Sequence, residues 1–376
     1  MSYINGVDIS SMLSLEESGV IFRRPDGEPE DLLSILAGAG VNYVRVRVWN
    51  DPFDAEGNGY GGGNVGVDRA VEIGRRATAH GMRVLVDFHY SDFWADPLRQ
   101  LVPKAWAGLD ADGVAAAVGD FTALALTQFR EAGVDVGMVQ VGNETNEAVA
   151  GLQTWPEMCA VFAAGSAAVR RVLPEALVAL HFTNPEEPGR YERYAATLAE
   201  AGVDYDVFAS SYYAFWHGTL ENLTTLLHDI VDRYGKQVMV AETSWTYTLE
   251  EGDGSENAVT EAHPAYPATI DGQAQAWEDV HRAVADVGPA GLGVFYWEPA
   301  WLPVGPPSER SANQMLWDRF GSGWMSRHAA DYDPVHAGFP HPGCSWENQA
   351  WFDFAGHPHA TLSRLGRPLA SVPTKD

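Results

Sequence analysis

The sequence predicts a (β/α)8 barrel formed by the whole chain, residues 1–376, as one domain. Short apolar segments with the character of buried strands alternate about eight times with segments long enough to form helices. No linker divides the chain, and several helical segments are followed at once by glycine, which commonly ends a helix. Alternating strands and helices are typical of a parallel sheet, and eight such units with extended loops fit a chain of this length.

The predicted elements follow one another in a regular order. The strands are Ile4–Ile9, Tyr43–Trp49, Arg83–Phe88, Met138–Val141, Leu177–Leu180, Val207–Ser210, Val238–Ala241 and Gly293–Trp297. The helices are Asp31–Ala39, Asp68–His80, Val114–Ala132, Met158–Val172, Arg190–Ala201, Leu220–Tyr234 and Ile270–Val287. Two long polar segments, Thr246–Pro267 and Pro299–Ser345, follow late strands, and loops of this length are usually functional. A doubly wound open sheet is the alternative fold, although no G-x-G-x-x-G motif follows the first strand.

The composition limits the kinds of partner that the protein can have. Lys and Arg number 24 against 51 Asp and Glu, which gives a formal net charge of -27. Such an acidic surface disfavours binding to nucleic acid and to anionic membranes. No apolar run reaches the length of a membrane span. The 13 Trp and 14 Tyr residues suit a neutral carbohydrate ligand because aromatic faces stack on sugar rings, but large cores also contain aromatics. We expect a monomer that binds a polysaccharide or oligosaccharide.

The cysteines and the first residues bear on the compartment. Cys159 lies in an apolar helical segment and Cys344 in a loop rich in Pro and Gly, and the sequence leaves open whether they are free or joined. The opening residues, MSYINGVDIS, contain no basic region followed by an apolar region. We expect an extracellular protein if a leader has been removed, and a cytoplasmic protein otherwise.

Two predicted strands end abruptly in a glutamate. The segment VQVGNETN contains Glu144, and the segment VMVAETSW contains Glu242. The active site of an α/β barrel lies at the carboxyl ends of its strands, so both carboxylates are predicted to project into it. Two opposed carboxylates are the minimum equipment for cleaving a glycosidic bond. A helix cap or an arginine partner is the plainer interpretation of one such glutamate, whereas two of them flanked by Asn, Trp or Tyr favour catalysis.

The second strand carries two arginines on one face. Arg45 and Arg47 alternate with valines, so their side chains point in the same direction. An inward-facing arginine in a barrel requires a carboxylate partner, and a catalytic glutamate is a natural one. The alternatives are an outward pair bonded to helix residues and an arginine with a purely structural role.

The other strand ends carry polar and aromatic residues suited to a sugar-binding wall. The third strand runs into DFHYSDFW, an asparagine precedes the first glutamate, and the sixth and eighth strands end in SYYAFWH and YWEPAW. Amides there can hydrogen-bond sugar hydroxyls, and a tyrosine hydroxyl can hold a nucleophilic carboxylate ionised. The predicted substrate-binding residues are Arg45, Arg47, Asp87, His89, Asp92, Trp94, Asn143, Tyr212, Tyr213, Trp216, His217, Trp297 and Trp301. Composition alone does not exclude Glu298, a third strand-end glutamate, from catalysis.

The chain resembles the endo-β-1,4-galactanases of glycoside hydrolase family 53 over nearly its whole length. The matching segments are GVDISSML, GVNYVRVRVWNDPFDAEGNGYGGGN, GMRVLVDFHYSDFWADP, MVQVGNE, SYYAFWHGTL, VAETSWTYTLEEGDG and GLGVFYWEPAWLPV. The resemblance implies a retaining (β/α)8 enzyme that cleaves β-1,4-galactan or its oligomers by double displacement and acts within the chain. It also implies that Glu144 is the acid/base and Glu242 the nucleophile.

The sequence departs from the family in two loops. Residues 145–152 read TNEAVAGL, where family members usually continue with Ile-Asn and an aromatic loop, so we expect fewer outer subsites and shorter products. Some members bind calcium after the seventh strand through a D-x-D-x-H-x-N-like run, and here that run is EGDGSEN. The resemblance thus implies a structural calcium ion, with no cofactor for catalysis, and a solvated acidic turn is the alternative. The candidate ligands are Glu251, Asp253, Ser255, Asn257 and Asp333.

Two other functions are open at this level. A mannanase or cellulase of the same retaining kind would share the glutamates and differ in wall residues such as Trp94 and Trp216. A non-catalytic carbohydrate-binding barrel would be expected to have lost one glutamate or its supporting residues, and both glutamates are present here.

Overall fold

Eight parallel strands close into a barrel in the order of the sequence. This computed structural model describes residues 2–335 and 342–370. The strands are β1 (Ile4–Asp8), β2 (Tyr43–Val48), β3 (Arg83–Phe88), β4 (Val136–Val141), β5 (Leu177–Phe182), β6 (Val207–Ser211), β7 (Gln237–Thr243) and β8 (Gly291–Trp297). The last strand pairs with the first, with Gly6 beside Phe295, and this pairing closes the sheet. The predicted (β/α)8 fold is confirmed, and the open-sheet alternative is wrong.

The helices lie between the strands and in the long loops. They are α1 (Met12–Glu17), α2 (Leu32–Ala39), α3 (Val67–Ala79), α4 (Ala111–Glu131), α5 (Trp155–Val172), α6 (Arg190–Glu200), α7 (Leu220–Tyr234), α8 (Ile270–Ala285), α9 (Arg310–Phe320) and α10 (Leu362–Leu365). Helices α2 to α8 correspond to the predicted segments. Helix α9 lies within a segment that we regarded as loop; Asn313 and Trp317, four residues apart, are buried on one face of it.

Local side chains and glycines fix where several helices begin and end. The Asp31 carboxylate accepts a hydrogen bond from the Ser34 amide at the start of α2. The Thr219 hydroxyl oxygen accepts one from the Asn222 amide at the start of α7. Such caps satisfy amides that the first helical turn leaves without partners. Helix α2 ends at Gly40, which has a φ of 118° that favours glycine.

The barrel interior has an apolar layer near the amino ends of the strands and a polar layer near their carboxyl ends. The apolar layer consists mainly of Ile4, Tyr43, Leu85, Met138, Ala179, Val207, Met239, Leu292 and Phe295. A Cβ atom at Gly6 would lie 2.3 Å from the Phe295 ring, so glycine is needed for this close packing. The polar layer includes Arg45, Asp87, Gln140 and His181, all buried. The packed lower layer thus supports charged groups that project toward the carboxyl-terminal face.

The structure also decides the state of the cysteines. Cys159 and Cys344 are both buried and free, so they are not joined by a disulfide. Among residues 2–335 and 342–370, no helix is long and apolar enough to cross a membrane.

Candidate active site

A cavity of about 740 Å³ opens at the carboxyl-terminal ends of the strands. It contains both predicted catalytic glutamates and a mixture of aromatic and polar side chains, the usual character of a ligand site. The predicted residues that line it are His89, Trp94, Asn143, Glu144, Tyr213, Trp216, His217, Glu242 and Trp297. The barrel closure therefore assembles residues from β3, β4, β6, β7 and β8 and the loops that follow them.

Glu242, near the end of β7, has a donor on each carboxylate oxygen. Arg45 Nη2 lies 2.9 Å from Oε1, and the Tyr213 hydroxyl donates a hydrogen bond to Oε2 at 3.0 Å. Burial raises the pKa of Glu242 to about 7, the Arg45 charge opposes that rise, and the neighbouring carboxylates of Asp87 and Asp8 add to it. Arg45 is thus the arginine that meets this glutamate, and Tyr213 is the tyrosine that holds it.

Glu144 follows β4 in a different electrostatic environment. Its backbone has a φ of 47°, a left-handed conformation that non-glycine residues rarely adopt and that is concentrated at functional sites. The Ser211 hydroxyl donates to Oε1 at 2.6 Å. Burial raises the pKa of Glu144 well above its usual value, and the charge of Glu242 raises it further.

The two carboxyl groups are therefore suited to different protonation states. Glu242 faces a guanidinium and a phenol, and both favour its ionised form. Glu144 receives one neutral hydroxyl and lies beside a like charge, which favours its protonated form. When one proton is shared by such a pair, it resides on Glu144 and leaves Glu242 ionised.

Three further predicted polar residues, Asn143, His89 and His217, line the cavity, and the protein already occupies most hydrogen-bonding groups of the first two. The Asn143 side chain accepts from Arg45 Nη2 at 2.7 Å and donates to the Ala95 carbonyl at 2.8 Å. His89 Nδ1 accepts from the Trp49 indole at 3.1 Å, which places the proton on Nε2, 3.1 Å from Asp87. These bonds hold both side chains rigidly at the wall of the cavity.

The loops after β3, β6 and β8 form an aromatic surface, the tryptophan wall, defined as Trp94, Trp216, Trp297, Trp324 and Trp346. Trp324 stacks on Trp94 with ring centroids 4.5 Å apart, and Trp346 contacts Trp297 edge-on at 4.8 Å. Trp216 is 51 % exposed, so its face is open to a ligand. Trp324 and Trp346 were not predicted to bind substrate, although a tryptophan inside or just after the long segment Pro299–Ser345 was the available signal.

A polar rim, whose residues were not predicted from the sequence, also lines the cavity. The polar rim is defined as Asn146, Glu147, Asn184, Glu187 and Arg190, which follow β4 and β5. Asn146 donates to Asn184 at 3.1 Å, and Arg190 pairs with Glu187. Because β4 lies opposite β8 in a closed eight-stranded barrel, the polar rim faces the β8 part of the tryptophan wall across the cavity. The polar residues that come soon after β4 and β5 in the sequence were the signal that could have predicted this rim.

Several predicted substrate-binding residues lie away from the cavity. Asp92 is buried and accepts hydrogen bonds from the backbone amides of Asp51 and Lys104 at 3.0 and 2.7 Å, so it holds two loops together. The Tyr212 hydroxyl donates to the Gly218 carbonyl. The prediction of a substrate contact was wrong for Asp92 and Tyr212 because only tertiary contacts decide which way a loop residue points.

Trp301 and Asp87 are also structural. The Trp301 indole is fully buried, lies 6.3 Å from the Trp94 ring and donates to the Ser322 carbonyl at 2.8 Å, so it supports the wall from behind. Asp87 is fully buried beside Arg45 and His89. The prediction that these residues and Arg45 contact substrate was wrong, since Arg45 reaches the cavity only through Glu242 and Asn143.

Arg47 and Glu298 form a buried pair beneath the aromatic wall. Arg47 Nη1 lies 2.7 Å from Glu298, and its guanidinium carbon lies 4.6 Å from the centre of the Trp94 ring. Glu298 also accepts from the Ser11 hydroxyl and is fully buried. The predicted contact of Arg47 with substrate was therefore wrong, and Glu298 is held too tightly to act in the cavity.

A cluster of oxygen atoms lies where the loop after β7 meets the segment that contains Glu347. Carboxylate oxygens of Glu251, Asp253 and Glu347 all lie within 4.8 Å of one another. Burial raises the pKa of Asp253 to about 7 and that of Glu347 well above its usual value. Oε2 of Glu347 and Oδ1 of Asn257 are buried without a hydrogen-bond partner among the described residues, so this donor set fits an oxygen-seeking cation such as Ca2+.

Two predicted ligands of this cluster are placed differently. Asp333 pairs with Arg99, so its assignment to the cluster was wrong, and Glu347 takes that place. The Ser255 hydroxyl accepts a hydrogen bond from the Gly343 amide at 3.1 Å and so shapes the loop.

Comparisons with known proteins identify the family of the chain. The family model described as glycosyl hydrolase family 53 matches residues 4–365. The chain is 56 % identical to "Endo-beta-1,4-galactanase" of Bacillus subtilis, over 96 % of this chain and 84 % of that protein. It is 30 % identical to "Arabinogalactan endo-beta-1,4-galactanase" of Humicola insolens, over 79 % of this chain and 89 % of that protein.

Solved structures give the same result. The family 53 catalytic domain of Ignisphaera aggregans superposes with a TM-score of 0.86 at 35 % identity, covering 98 % of this chain and 96 % of that one. A structure from work on two fungal β-1,4-galactanases superposes with a TM-score of 0.75 at 28 % identity, covering 98 % of this chain and 99 % of that one. The chain therefore belongs to glycosyl hydrolase family 53.

Proposed function

We propose that the protein is a retaining endo-β-1,4-galactanase that hydrolyses β-1,4-galactan and its oligomers. The observation that carries the proposal is the pair Glu144 and Glu242 in one cavity, each with the donors that its role requires. Membership of family 53 and the similarity to the Bacillus subtilis galactanase support the choice of substrate.

In the proposed mechanism Glu242 is the nucleophile. Its ionised carboxylate attacks the anomeric carbon while Glu144 gives its proton to the glycosidic oxygen, which leaves with the departing sugar chain. The product of this step is a glycosyl ester on Glu242. Arg45 and Tyr213 stabilise the carboxylate before the attack, and they hold it in a fixed orientation.

Glu144 changes role in the second step. The charge on Glu242 has disappeared in the ester, so the main like charge that raised the pKa of Glu144 is absent. The Glu144 carboxylate now takes a proton from water, and the resulting hydroxide equivalent attacks the same face from which the first product left. The ester breaks, and two inversions give a net retained configuration.

The two sides of the cavity suit the two parts of the substrate chain. The leaving group must lie beside Glu144, so the polar rim that follows β4 and β5 accommodates it. The sugar that is attacked, and those before it, lie along the tryptophan wall, where indole faces can stack on their C–H faces. This arrangement predicts stronger binding on the side of the wall than on the side of the rim.

The competing functions have less support. The structural neighbours that include xylanases are 14 % identical to this chain and bear on the fold alone. A non-catalytic barrel needs neither a buried donor on each oxygen of Glu242 nor a strained backbone at Glu144, and this chain has both.

Substrate comparison tests the proposed function. Linear β-1,4-galactan, mannan, cellulose and xylan are each incubated with the enzyme, and new reducing ends are measured. We expect far faster hydrolysis of galactan, because a site that hydrogen-bonds one hydroxyl strongly rejects an epimer that lacks the contact. Equal rates on mannan or cellulose would contradict the galactan assignment.

We also propose that the Glu251, Asp253 and Glu347 cluster binds a structural calcium ion. The three carboxylates and the unpartnered Asn257 oxygen supply several of the roughly 6–8 oxygen ligands that calcium takes. The ion would neutralise three carboxylates that otherwise repel one another in a partly buried loop.

A further inference from the structure

A chain of buried hydrogen bonds reaches Glu144 from the side away from the cavity. His181 Nε2 on β5 lies 2.9 Å from the Ser211 hydroxyl oxygen on β6, and that hydroxyl lies 2.6 Å from Glu144 Oε1. His181 and Ser211 are both fully buried, and neither lines the cavity. They therefore contact the candidate acid/base without contacting substrate.

The direction of these hydrogen bonds follows from the groups around His181. The backbone amide of Glu144 points at Nδ1 from 3.4 Å, and an amide N–H can only donate. The amide nitrogen of Gln140 also lies 3.1 Å from Nδ1. Its orientation is fixed because its oxygen accepts from Arg45 and its nitrogen donates to Asp87. Nδ1 is therefore an acceptor, and the neutral imidazole carries its proton on Nε2.

One neighbour would favour the other tautomer. The Asn143 side-chain oxygen lies 3.0 Å from His181 Nδ1, but it already accepts from Arg45 at 2.7 Å. A proton on Nδ1 would confront the backbone N–H of Glu144 and leave that partly buried amide without its acceptor, which is unfavourable. Burial also lowers the pKa of His181 well below its usual value, so the ring is neutral.

We propose that His181 and Ser211 are positioning residues that determine which oxygen of Glu144 carries the catalytic proton. The His181 Nε2–H donates to Ser211, so the Ser211 proton must point at Glu144 Oε1. In a carboxylic acid the carbonyl oxygen is a better acceptor than the hydroxyl oxygen, so the hydrogen bond from Ser211 favours Oε1 as the carbonyl oxygen. The catalytic proton is therefore on Oε2, the oxygen left free for the glycosidic bond. This inference rests on the proposed function, because it assumes that Glu144 acts as acid and base.

The same chain keeps Glu144 oriented in both catalytic steps. Ser211 donates to Oε1 whether Oε2 is protonated, in the first step, or ionised, in the second. The carboxyl group thus need not rotate between its action as acid and its action as base. The proposal also gives Ser211 an effect on acidity, since a donor to the carboxylate favours ionisation.

Other groups contribute to the pKa of Glu144 and would be unchanged in a Ser211 variant. The charged and titratable groups that face it are Glu242, Asp96, Arg45, Tyr213, Tyr191 and the neutral His181. Removal of the Ser211 hydroxyl alone should therefore shift the pKa of Glu144 upward.

A direct titration tests this without any substrate. The protein is labelled with carbon-13 at the glutamate carboxyl carbons, and Glu144→Gln identifies the resonance of Glu144. We expect Ser211→Ala to raise the pKa of Glu144 by about one pH unit, because the hydroxyl binds the carboxylate more strongly than it binds the neutral acid. Ser211→Thr keeps a hydroxyl and should restore the wild-type titration.

Ser210→Ala is the matched control for Ser211→Ala. Ser210 is the preceding, equally buried serine of β6, and its hydroxyl bonds Tyr191 and the Ser211 carbonyl rather than Glu144. A shift of the same size in Ser210→Ala, or an unchanged titration in Ser211→Ala, would overturn the proposal. Nitrogen-15 spectra of the histidines, with His181→Gln for assignment, should show the Nε2–H tautomer, and the Nδ1–H tautomer would also overturn it.

Kinetic measurements distinguish a positioning role of Ser211 from a nonspecific loss of activity. Ser211→Ala should move the alkaline limb of kcat/KM for galactan upward by about the same pH interval as the titration. Galactan has a poor leaving group, so Ser211→Ala should lower kcat on galactan strongly. A dinitrophenyl galactoside needs little proton donation, so the rate of its glycosylation step should fall at least 10-fold less. Equal losses on the two substrates would contradict a positioning role. Inactivity of the wild-type enzyme on galactan would instead contradict the proposed function, and the two titrations would still test the hydrogen-bond chain.

Discussion

The Tyr213 hydroxyl donates a 3.0 Å hydrogen bond to Glu242 Oε2, and both residues are buried at the floor of the cavity. This bond and the Arg45 contact on the other oxygen leave the carboxylate with one fixed orientation. Tyr213 comes from the end of β6 and Glu242 from the end of β7, so the contact exists only because the strands are neighbours in the barrel.

Tyr213→Phe should therefore weaken the proposed nucleophile without removing it. Loss of a hydrogen bond to a charged group costs about 1.5–3 kcal/mol, so we expect kcat/KM to fall about 10- to 100-fold. The hydroxyl lowers the pKa of Glu242, so its loss should raise that pKa above about 7 and move the acidic limb of the pH profile upward. The pH dependence of kcat/KM on galactan measures both effects.

Tyr212→Phe is the control for this variant. The Tyr212 hydroxyl donates to the Gly218 carbonyl and lies outside the cavity, so its loss should lower stability by about 1 kcal/mol and leave the pH profile unchanged. A pH shift of equal size in both variants would argue against a specific role for Tyr213.

The roles of the two glutamates can be separated chemically. Glu242→Ala should abolish turnover, because no carboxylate remains to form the glycosyl ester. Glu144→Ala should reduce hydrolysis of galactan by about 10²- to 10⁴-fold, and azide should restore turnover of an activated aryl galactoside with a β-galactosyl azide product. NMR of the products establishes their configuration. An α-configured first product from the wild-type enzyme would contradict the retaining mechanism.

Asp92 should affect stability rather than substrate binding. Asp92→Ala removes the acceptor of two partly buried backbone amides, and the loss of each such hydrogen bond costs about 1 kcal/mol. We expect a clear fall in melting temperature and a KM within about 2-fold of the wild-type value at a temperature where both proteins are folded. A large rise in KM without loss of stability would restore Asp92 as a substrate ligand.

Calcium should stabilise the protein through the cluster that contains Glu347. The melting temperature should rise on addition of calcium and fall with a chelator, because the ion binds only the folded loop. Glu347→Gln should lose most of this response, whereas Asp333→Asn, which lies in the pair with Arg99, should keep it. Identical melting temperatures in calcium and chelator would exclude a structural ion.

Product size should reflect the residues beyond Glu144. The polar rim has no aromatic platform, so we expect few strong subsites for the leaving chain and an early accumulation of short oligomers. Sizing of the products over time measures this, and replacement of Glu147 by Trp should lengthen the early products if stacking is what the rim lacks. Release of a single short product from the first turnover would show that cleavage begins at chain ends.

The sequence by itself determined the alternation of strands and helices, favoured the barrel, and named the two glutamates at the strand ends. Eight apolar segments alternating with helices predict a parallel sheet that is covered on both faces, and the structure shows that this sheet closes into a barrel rather than staying open. In that fold residues at the carboxyl ends of the strands can reach the cavity, so Glu144 and Glu242 could be placed from the ends of their apolar runs, although Glu298 after β8 is buried away from it. Asn143, Tyr213 and Trp297 were found in the same way.

Only the tertiary structure decided the roles of the supporting residues. Strand register can place Arg45 and Arg47 on one face, but contacts between distant segments assign Arg45 to Glu242 and Arg47 to Glu298. The directions in which side chains point along a loop follow no periodic pattern. The sequence therefore could not show that the Asp92 side chain points into the protein or that Trp324 lines the cavity. Burial and charge set each pKa through neighbours that are far apart in the chain. That is the physical reason why the sequence could name Glu144 and Glu242 but only the fold distinguishes their protonation states.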